Sequence, residues 1–322
     1  FQSFDPTVIK RYGYGTLPNV MTSVEFEIMN CAAGSTGGRI LKADGTEPKS
    51  IGIVHCVGSR DKHYHEYCSR VCCMYALKFA HLIKEKIDAE VFNFYIDLRC
   101  FGKGYEEFYD RLLGEDVRFI RGKVGEISSV AMGEDEKDKL VVRVEDTLLG
   151  VVRRIPLDMV VLCTALEKPE GLDNVAKMCS VSVGKDGFII EKHPKLGPVS
   201  TATDGVFVVG VAQSPKDIPD TVAQASAASS AVLSMITREK IEIEAATAEI
   251  EEEKCSGCRI CNNLCPYLAI SFDEEKNVSV INEVLCKGCG TCVAACPSNA
   301  IKAKHFSDRQ IFAEIEGILS AR

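Results

Sequence analysis

Eight of the 16 cysteines in this 322-residue sequence lie in two short runs near its end. The runs read CSGCRICNNLCP from residue 255 and CKGCGTCVAACP from residue 286. Both have the spacing C-x2-C-x2-C-x3-C-P, in which three thiolates of one run bind one 4Fe–4S cluster and the fourth binds the other cluster. The predicted ligands are Cys255, Cys258, Cys261 and Cys296 for one cluster and Cys286, Cys289, Cys292 and Cys265 for the second.

Zinc ions and disulfide bonds are the alternative uses of closely spaced cysteines. Zinc sites take C-x2-C pairs separated by a longer spacer, whereas these runs are triplets that end in Cys-Pro. Disulfide-rich domains are short and secreted, whereas this chain has long alternating strand and helix patterns. The small loop residues Gly257, Gly288 and Gly290 would let three sulfurs converge. The spacing therefore favours iron–sulfur clusters.

A second group of cysteines lies upstream, in the stretches HCVGSR and YCSRVCC. Cys68 and Cys72 are predicted to lie one turn apart on a helix over residues 67–86, with Cys73 adjacent. Cys56 ends the preceding predicted strand, close to the start of that helix, where the partial positive charge favours anionic groups. Four thiolates could meet there. Spacing alone leaves open whether they bind a cluster or are buried structural cysteines.

Alternating strand and helix patterns surround this second group. The predicted elements are strands over 50–59, 90–97 and 117–122 and helices over 67–86 and 104–116. Such alternation predicts a parallel sheet covered by helices. The short strand patterns between residues 125 and 164 resemble the antiparallel insertion and returning strand of a pyridine-nucleotide-type flavoprotein domain.

The expected fold class is therefore α/β, with two domains. A Rossmann-like domain of the pyridine-nucleotide-disulfide-oxidoreductase flavoprotein type would span residues 1–237. A charge-rich linker over 238–252, predicted to be helical, would lead into an α+β ferredoxin domain of the bacterial two-cluster type over 253–322. Within this last domain, AISFDEEKNVSVI predicts two short strands around a turn, and the later AIKAKHF indicates an internal duplication.

The loop after the strand over 50–59 lacks the glycine fingerprint G-x-G-x-x-G of dinucleotide-binding domains. It contains one glycine, Gly58, and several bulky charged residues, and the glycine-rich stretch GSTGGR has no strand before it. We therefore predict no NAD(P) site at this loop. A nicotinamide-linked disulfide reductase is disfavoured further because no C-x4-C redox pair occurs.

A helix rich in small residues supplies another candidate site. The stretch GVFVVG predicts a strand over residues 205–210, and Pro219 stands in the first turn of the helix DTVAQASAASSAVL. Its small side chains and free N-terminal amides would suit a flat or phosphate-bearing ligand such as a flavin. Tight packing of this helix against a sheet is the alternative.

Composition bounds the remaining possibilities. The 46 acidic and 38 basic side chains give a net charge of −8, without the basic clustering typical of nucleic-acid partners. No apolar run approaches the roughly 18 to 20 residues of a membrane span. We expect a cytoplasmic protein without membrane span or nucleic-acid partner. The cysteines without convergent spacing are predicted to be structural: Cys31, Cys100, Cys163 and Cys179.

Several motifs together resemble the A subunit of heterodisulfide reductase, an iron–sulfur flavoprotein family. They are YGYGTLPNVMTSVEFE, HCVGSRD with YCSRVCCMYALK, GKGYEEFYDRLL with VRFIRG, and GVAQSPKDIPDTVAQASAAS, followed by the two cysteine runs. The resemblance covers nearly the whole chain. It implies an oxidoreductase subunit that carries FAD and works in a multi-subunit complex. It also implies that a third 4Fe–4S cluster is bound by Cys56, Cys68, Cys72 and Cys73.

The resemblance implies an FAD site as well. Its predicted contacts are Thr164, Gly210, Val211, Ala212, Gln213, Lys216, Asp217, Ile218, Pro219, Thr221, Val222 and Gln224. Related flavoproteins have Gly-Asp where this chain has Gly210-Val211, so the contact to the ribityl chain must come from another group. Lys78 is the candidate catalytic residue, a cation near the flavin, and a surface lysine is the alternative.

Family members begin with a glycine-fingerprint unit that this sequence lacks. The sequence is thus a fragment of a longer polypeptide, or a partner chain supplies the missing FAD-binding half. The expected function is electron transfer between flavin and clusters, and the resemblance implies electron bifurcation at the flavin. A passive iron–sulfur wire and docking subunit is the alternative. The implied partners are subunits similar to heterodisulfide reductase B and C, subunits linked to hydrogenase or formate dehydrogenase, and ferredoxin.

Overall fold

The computed structural model describes residues 1–237 and 245–320, which fall into two compact units. The first unit comprises Phe1–Pro169 with Pro215–Ile218, and the second comprises Glu170–Ser214 with the described residues from Pro219 onward. Each unit has its own sheets and its own buried core. None of the described helices combines the length and apolar character that a membrane span requires.

The first unit contains ten strands and three helices among its described residues. They are β1 (Gln2–Ser3), β2 (Val20–Thr22), α1 (Ser23–Asn30), β3 (Ser50–Val57), α2 (Cys72–Lys86), β4 (Glu90–Tyr95), α3 (Tyr105–Gly114), β5 (Arg118–Arg121), β6 (Val124–Ser128), β7 (Leu140–Asp146), β8 (Val151–Leu157), β9 (Met159–Thr164) and β10 (Leu166–Glu167).

A five-stranded parallel sheet in the order β2-β9-β3-β4-β5 forms the centre of this unit. Every residue of β3 and β9 is buried, as expected for inner strands of a sheet covered on both faces. Helices cover one face, where Phe79 and Ile83 of α2 share a core with Ile51 and Val91. The predicted parallel α/β sheet is confirmed.

The other face of the sheet is covered by the antiparallel sheet β6-β7-β8. Val142 and Leu157 from this sheet share a second core with Val54 and Phe94. The predicted antiparallel insertion is therefore present. The last strand pattern of the sequence, VVRRIPLDMVVLCT, forms two strands: β8 ends before Asp158, and the returning strand β9 begins after it.

The second unit contains five helices and four strands among its described residues, counting all of α5, whose first residue belongs to the first unit. They are α4 (Leu172–Met178), α5 (Ile218–Ile236), β11 (Ala248–Ile250), α6 (Ile260–Leu264), β12 (Ile270–Asp273), β13 (Val278–Ile281), α7 (Thr291–Ala295), β14 (Ile301–Ala303) and α8 (Asp308–Ser320).

Two antiparallel strand pairs frame the cysteine runs. The pair β12-β13 confirms the predicted strands around a turn, and β11 pairs with β14. The predicted helical linker is wrong where it reaches β11, because Ala248–Ile250 form a strand that pairs with the chain beyond the second run. Residues 238–244 of that linker lie outside the described residues. The domain boundaries at 237 and 253 remain predictions.

The predicted strand over 205–210 is also wrong. Only Phe207 makes a ladder contact, a single bridge to Ser200, and Gly210–Ala212 form a 3-10 turn. The N–H of Val206 bonds back to the carbonyl of Thr203 at 3.2 Å, so the chain turns where a ladder would continue. Val208 still packs in a small core with residues of α4.

Candidate metal centres

The upstream cysteines are assembled at the carboxyl end of β3. The register of β3 against β9 shifts between Val54 and Val57, and Cys56 within this bulge has φ 57°. A left-handed φ is uncommon outside glycine and occurs where surrounding contacts impose it. A bulge re-aims the side chain it contains. Here it directs the buried Cys56 toward the start of α2.

The loop between β3 and α2 is fixed by hydrogen bonds. The N–H of Arg60 donates to the carbonyl of Tyr67 at 2.9 Å, and the hydroxyl oxygen of Ser69 accepts from the N–H of Leu166 at 2.9 Å. These bonds tie the loop to itself and to β10. The position of Cys68 within this loop is therefore set by backbone contacts on both sides.

The single glycine of this loop has a packing role. Gly58 has φ 81°, and a Cβ at this position would lie 2.4 Å from the ring of Phe4. Any larger residue would displace the N-terminal segment from the loop. Gly58 is thus needed for the close approach of Phe4.

The predicted start of the helix at residue 67 is wrong, because α2 begins at Cys72. Arg70 has φ 61°, a left-handed conformation that a right-handed helix cannot contain. Cys68 therefore lies in the loop, and its predicted position one helical turn before Cys72 is wrong as well. The N–H of Arg70 donates to the sulfur of Cys68 at 3.2 Å, so the loop itself orients this thiol.

Three of these thiols are in contact. Cys72 lies between Cys56 and Cys73 and is hydrogen-bonded to both. This contact lowers the pKa of Cys56 and of Cys73, and it raises the pKa of Cys72. Thiolates are the metal-binding form. Cys68 and Cys56 both lie within electrostatic range of the Arg60 guanidinium.

The second unit brings the two cysteine runs together. A small cavity is lined by Cys265 of the first run and by Cys286, Cys289 and Cys292 of the second. These are the four residues predicted to share a cluster. Of the other predicted set, Cys261 and Cys296 lie in the same packed core, whereas Cys258 is exposed.

The backbone repeats itself around the two runs. Gly257 has φ 69°, and a Cβ there would lie 2.8 Å from the carbonyl oxygen of Asn277; Gly288 has φ 61°, and a Cβ there would lie 2.1 Å from that of Ala246. The same offset along the sequence relates Gly257 to Gly288 and Ala246 to Asn277. The internal duplication inferred from the sequence is therefore visible in the structure, and glycine is required at both positions.

The fourth cysteine of each run occupies an equivalent position at a helix end. Cys265 follows α6 with φ −73° and ψ 109°, and Cys296 follows α7 with φ −74° and ψ 111°. Backbone N–H groups donate to both sulfurs, from Ala269 at 3.4 Å and from Ala300 at 3.3 Å. The duplication thus presents Cys265 and Cys296, the two cysteines predicted to bind the cluster of the other run, in the same way.

An all-sulfur donor set selects zinc or iron–sulfur clusters among the common metal groups. Within the residues that the structure describes, no group of three or more His, Cys, Asp or Glu side chains has the spacing of a single-ion site. Both donor sets consist of cysteine sulfur, which is the ligand set of a 4Fe–4S cluster.

The segment predicted to contact FAD is held together by its own side chains. The N–H of Gly210 donates to the amide oxygen of Gln224 at 2.8 Å, and the amide nitrogen of Gln224 donates to the amide oxygen of Gln213 at 2.5 Å. Thr221 packs against Gly210, which has φ 62°. These bonds join the 3-10 turn to α5, so the polar groups assigned to FAD are engaged with one another.

The other residues predicted to contact FAD are divided between the units. Thr164 is buried in the first unit, and its hydroxyl shares a hydrogen bond with that of Ser3 at 2.6 Å. Lys216, Asp217 and Ile218 also belong to the first unit. Those in the second unit are Val211 and Ala212, which are partly buried, and Pro219 and Val222, which are exposed. An FAD contact at any of them remains a prediction.

Comparisons with known proteins identify both parts of the chain. A family model described as a 4Fe-4S dicluster domain matches residues 240–303. The A subunit of the H(2):CoB-CoM heterodisulfide,ferredoxin reductase of Methanothermobacter marburgensis is 49% identical over 99% of this chain and 48% of its own length. The A subunit of the H(2)/formate:CoB-CoM heterodisulfide,ferredoxin reductase of Methanococcus maripaludis is 46% identical over 100% of this chain and 49% of its own length.

The chain belongs to the family of heterodisulfide reductase A subunits. It spans about half the length of the curated relatives it matches. Among solved structures, thioredoxin reductase of T. acidophilum is similar with a TM-score of 0.42 and 15% identity, covering 68% of this chain and 58% of its own. The flavoprotein disulfide reductase RclA of Escherichia coli has a TM-score of 0.44 and 14% identity, with 74% and 43% covered.

Lys78, the candidate catalytic residue suggested by the heterodisulfide reductase resemblance, lies on an exposed face of α2. Its ammonium forms an ion pair with Glu27 at 2.6 Å. At 3.6 residues per turn, Lys78 points about 120° away from Cys72 and about 140° away from Cys73 around the helix. A role beside a flavin remains a prediction, and these contacts are those of a surface lysine.

Sequence reasoning missed three polar side chains beside the upstream cysteines of this heterodisulfide reductase homologue. His55 and Asn93 are buried in β3 and β4, and Nε2 of His55 pairs with the amide oxygen of Asn93 at 3.0 Å. Arg60 forms an ion pair with Asp97 at 2.7 Å. The signal in the sequence was a histidine inside an apolar strand, next to Cys56.

Proposed function

We propose that this chain is an electron-transfer part of an oxidoreductase, binding three 4Fe–4S clusters and contributing to a flavin site. The observation that carries the proposal is the grouping of cysteines from distant parts of the sequence. Cys265 lines one cavity with three cysteines of the other run, and Cys56 meets Cys72 and Cys73 across a loop.

The clusters, when bound, would accept and release single electrons. The protein's contribution is to hold the sulfurs, to limit access of water and to leave an approach for partners. Cys56, Cys72 and Cys73 are almost completely buried, whereas Cys258 and Cys289 are exposed. The first-unit centre is thus shielded, and the second unit offers sulfurs near its surface, where an electron-transfer partner could approach.

The partners are proposed from the names of the relatives. Those names include a heterodisulfide, ferredoxin, H2 and formate. We therefore propose a complex with subunits similar to heterodisulfide reductase B and C, with hydrogenase- or formate-dehydrogenase-linked subunits, and with ferredoxin. Because the chain spans about half of these relatives, a polypeptide matching their other half would complete the FAD site. Free thiols persist in a reducing compartment, so we propose a cytoplasmic location.

Electron bifurcation is the finer part of this proposal. A complex named for two acceptors, a heterodisulfide and ferredoxin, would divide electron pairs between them. The test is the ratio of acceptors reduced by the assembled complex with H2 or formate as donor. Bifurcation predicts equal numbers of electrons delivered to both acceptors and no ferredoxin reduction when the heterodisulfide is omitted. Ferredoxin reduction without the heterodisulfide would refute it.

A passive iron–sulfur wire and docking subunit is the second candidate. It is favoured by the hydrogen bonds among Gly210, Gln213 and Gln224, since these groups would have to release one another to bind FAD. Flavin content decides between the candidates. The complex with a polypeptide matching the other half should bind FAD that is lost when Gln224 is replaced by Ala, if this segment contributes to the site. Unchanged FAD in Gln224→Ala would favour the wire.

The cluster count tests the proposal most directly. Iron and acid-labile sulfide should each reach about twelve per chain in anaerobically purified protein, because three cubanes carry four of each. The variant Cys72→Ala should fall to about eight, whereas Cys163→Ala should keep about twelve. Cys163 is an equally buried cysteine of the same unit, on β9. About eight in the unaltered chain would disprove the first-unit cluster.

A further inference from the structure

Four buried polar atoms without a hydrogen-bond partner lie near the upstream cysteines. They are Nδ1 of His55, Oγ of Ser59, Nη1 of Arg60 and Nδ2 of Asn93. Buried donors are nearly always paired in folded proteins, and an unpaired one is unfavourable. Nη1 of Arg60 can only donate, and the acceptor that it lacks is not part of the described polypeptide.

Arg60 is held in place on one side only. Its Nη2 donates to the carboxylate of Asp97 at 2.7 Å, while Nη1 is buried without a partner. The backbone carbonyl of Asp97 in turn accepts a contact from the Cys73 thiol at 3.8 Å. Arg60 has φ 53°, so its backbone adopts an unfavourable conformation that places the side chain here. The guanidinium lies within electrostatic range of Cys56 and Cys68.

His55 approaches the same cysteines from the sheet. Its Nε2 is paired with Asn93 at 3.0 Å, and the ring lies beside the thiol of Cys73. Only 5% of the residue is exposed. Because the amide oxygen of Asn93 can only accept, Nε2 of His55 is the donor in this bond. Between His55 and Arg60, the unpaired donor near the cysteine group is therefore Nη1 of Arg60.

Several sulfurs of the second unit accept hydrogen bonds from backbone N–H groups. The backbone N–H of Ala248 donates to the sulfur of Cys286 at 3.4 Å. The N–H of Ala269 donates to Cys265, and the N–H of Ala300 donates to Cys296. These donors are neutral main-chain groups. A charged donor such as Arg60 is a distinct means of tuning a cluster, since hydrogen bonds and net charge both set reduction potentials.

We propose that Arg60 is a positioning residue that donates from Nη1 to a sulfur of the cluster bound by the upstream cysteines and raises the reduction potential of that cluster. This inference rests on the proposed first-unit cluster. Reduction adds one negative charge to the cluster, and a nearby cation with a hydrogen bond to sulfur stabilises the reduced form more than the oxidised form.

The experiment compares Arg60→Gln and Arg60→Lys with the unaltered chain and with Arg118→Gln as the matched control. Arg118 is a surface arginine paired with Glu90, at the amino ends of β5 and β4. In a parallel sheet this is the edge opposite to the cysteines. Iron content is measured first. Midpoint potentials are then determined by redox titration followed by EPR, and the signal that disappears in Cys68→Ala is assigned to the first-unit cluster.

Arg60→Gln should keep about twelve irons and lower the midpoint potential of the assigned cluster. We expect about a tenfold shift in the ratio of reduced to oxidised cluster, which is about 59 mV for a one-electron couple. Arg60→Lys keeps the charge without the planar fork, so about a threefold shift is expected. Arg118→Gln should leave the potential unchanged, and the second-unit signals should not move in any variant.

An unchanged midpoint in Arg60→Gln with full iron content would overturn the inference. If Arg60→Gln loses the cluster, Arg60→Lys decides, and a midpoint equal to that of the unaltered chain would overturn it. A chain with about eight irons before any substitution would refute the first-unit cluster itself, which is a separate result.

Discussion

In the first unit the core beside the cysteines is made mostly of large apolar side chains, whereas in the second unit cysteines form much of the core. Phe26, Phe79 and Ile83 share a core with Cys72 of the upstream group. The core around the two runs consists of Ala248, Ile270, Ile301, Cys261 and Cys292, with further cysteines against it. We therefore expect the first unit to stay folded without metal and the second unit to need its metal to fold.

Iron removal should separate the two units most strongly. An anaerobic chelator should unfold the region from Ala248 to Ala303, because its few apolar side chains cannot replace the bonds to metal. Amide hydrogens of β3, β4 and β9 should remain protected, since their core contains little of the cysteine group. Hydrogen exchange monitored by mass spectrometry measures both regions in one sample. Equal loss of protection in both regions would contradict the expectation that only the second unit needs metal to stay folded.

The crossing ligand provides the next test. Cys265→Ala should abolish the cluster held by Cys286, Cys289 and Cys292, although it lies in the other run, because it lines their cavity. Iron should fall from about twelve to about eight. Cys179→Ala, a partly buried cysteine of the same unit, should keep about twelve. Retention of all irons in Cys265→Ala would show that each run binds its own cluster.

Two glycines in one cysteine loop give a matched pair. Gly288→Ala should lower iron content and stability, since its Cβ would lie 2.1 Å from the carbonyl oxygen of Ala246. In Gly290→Ala the added Cβ would have no atom within 4 Å, so the only cost is the backbone strain of φ 76°. That strain is about 1 kcal/mol. Iron content and thermal unfolding measure the difference. Equal losses in both variants would mean that backbone conformation, rather than close approach, selects glycine here.

The smallest expected effect concerns the metal-independent part of the first unit. Asp158 accepts from the N–H groups of Lys49 at 2.7 Å and Ser50 at 3.1 Å and pairs with Lys139. Burial alone would raise the pKa of Asp158, but the Lys139 ammonium and these amides lower it below 3.8. Asp158→Asn should therefore lower the free energy of unfolding by about 1 to 3 kcal/mol at neutral pH.

The pH dependence of that effect has a definite sign. A carboxylate whose pKa is lowered by folding stabilises the protein above its unfolded pKa, near 3.8, and loses this contribution as the pH falls through the lower folded value. The difference between the unaltered chain and Asp158→Asn should be constant above about pH 5 and decrease as the pH falls further. Denaturant unfolding of the first unit measures it, and a difference independent of pH would exclude the charge as its cause.

The regular parts of the fold were predictable from the sequence. The fully apolar patterns of β3 and β9 identify inner strands of a parallel sheet, and the spacing of the two runs identifies the cysteines that line one cavity. Periodicity reports these features because burial on regular elements repeats along the chain.

The irregular backbone was not predictable. Residues 67–71 have helical periodicity, but the left-handed conformation of Arg70 delays α2 until Cys72. Ala248–Ile250 were assigned to a charged helix, yet they pair with β14, a partner more than 50 residues away in sequence. Arg60 and His55 were overlooked because their importance depends on three-dimensional proximity to the cysteines. Such features depend on contacts between distant residues, which local patterns do not contain.

The bulge at Cys56 limits how the upstream site could be moved into another protein. A designer who copied only the four cysteines onto a regular strand, loop and helix would point one sulfur into the wrong layer, since successive strand residues face opposite sides. A working transplant would have to include the register shift after Val54 and the left-handed turns at Arg60 and Arg70. The part that has to be transferred is therefore the distorted backbone from β3 to α2, which positions the thiols.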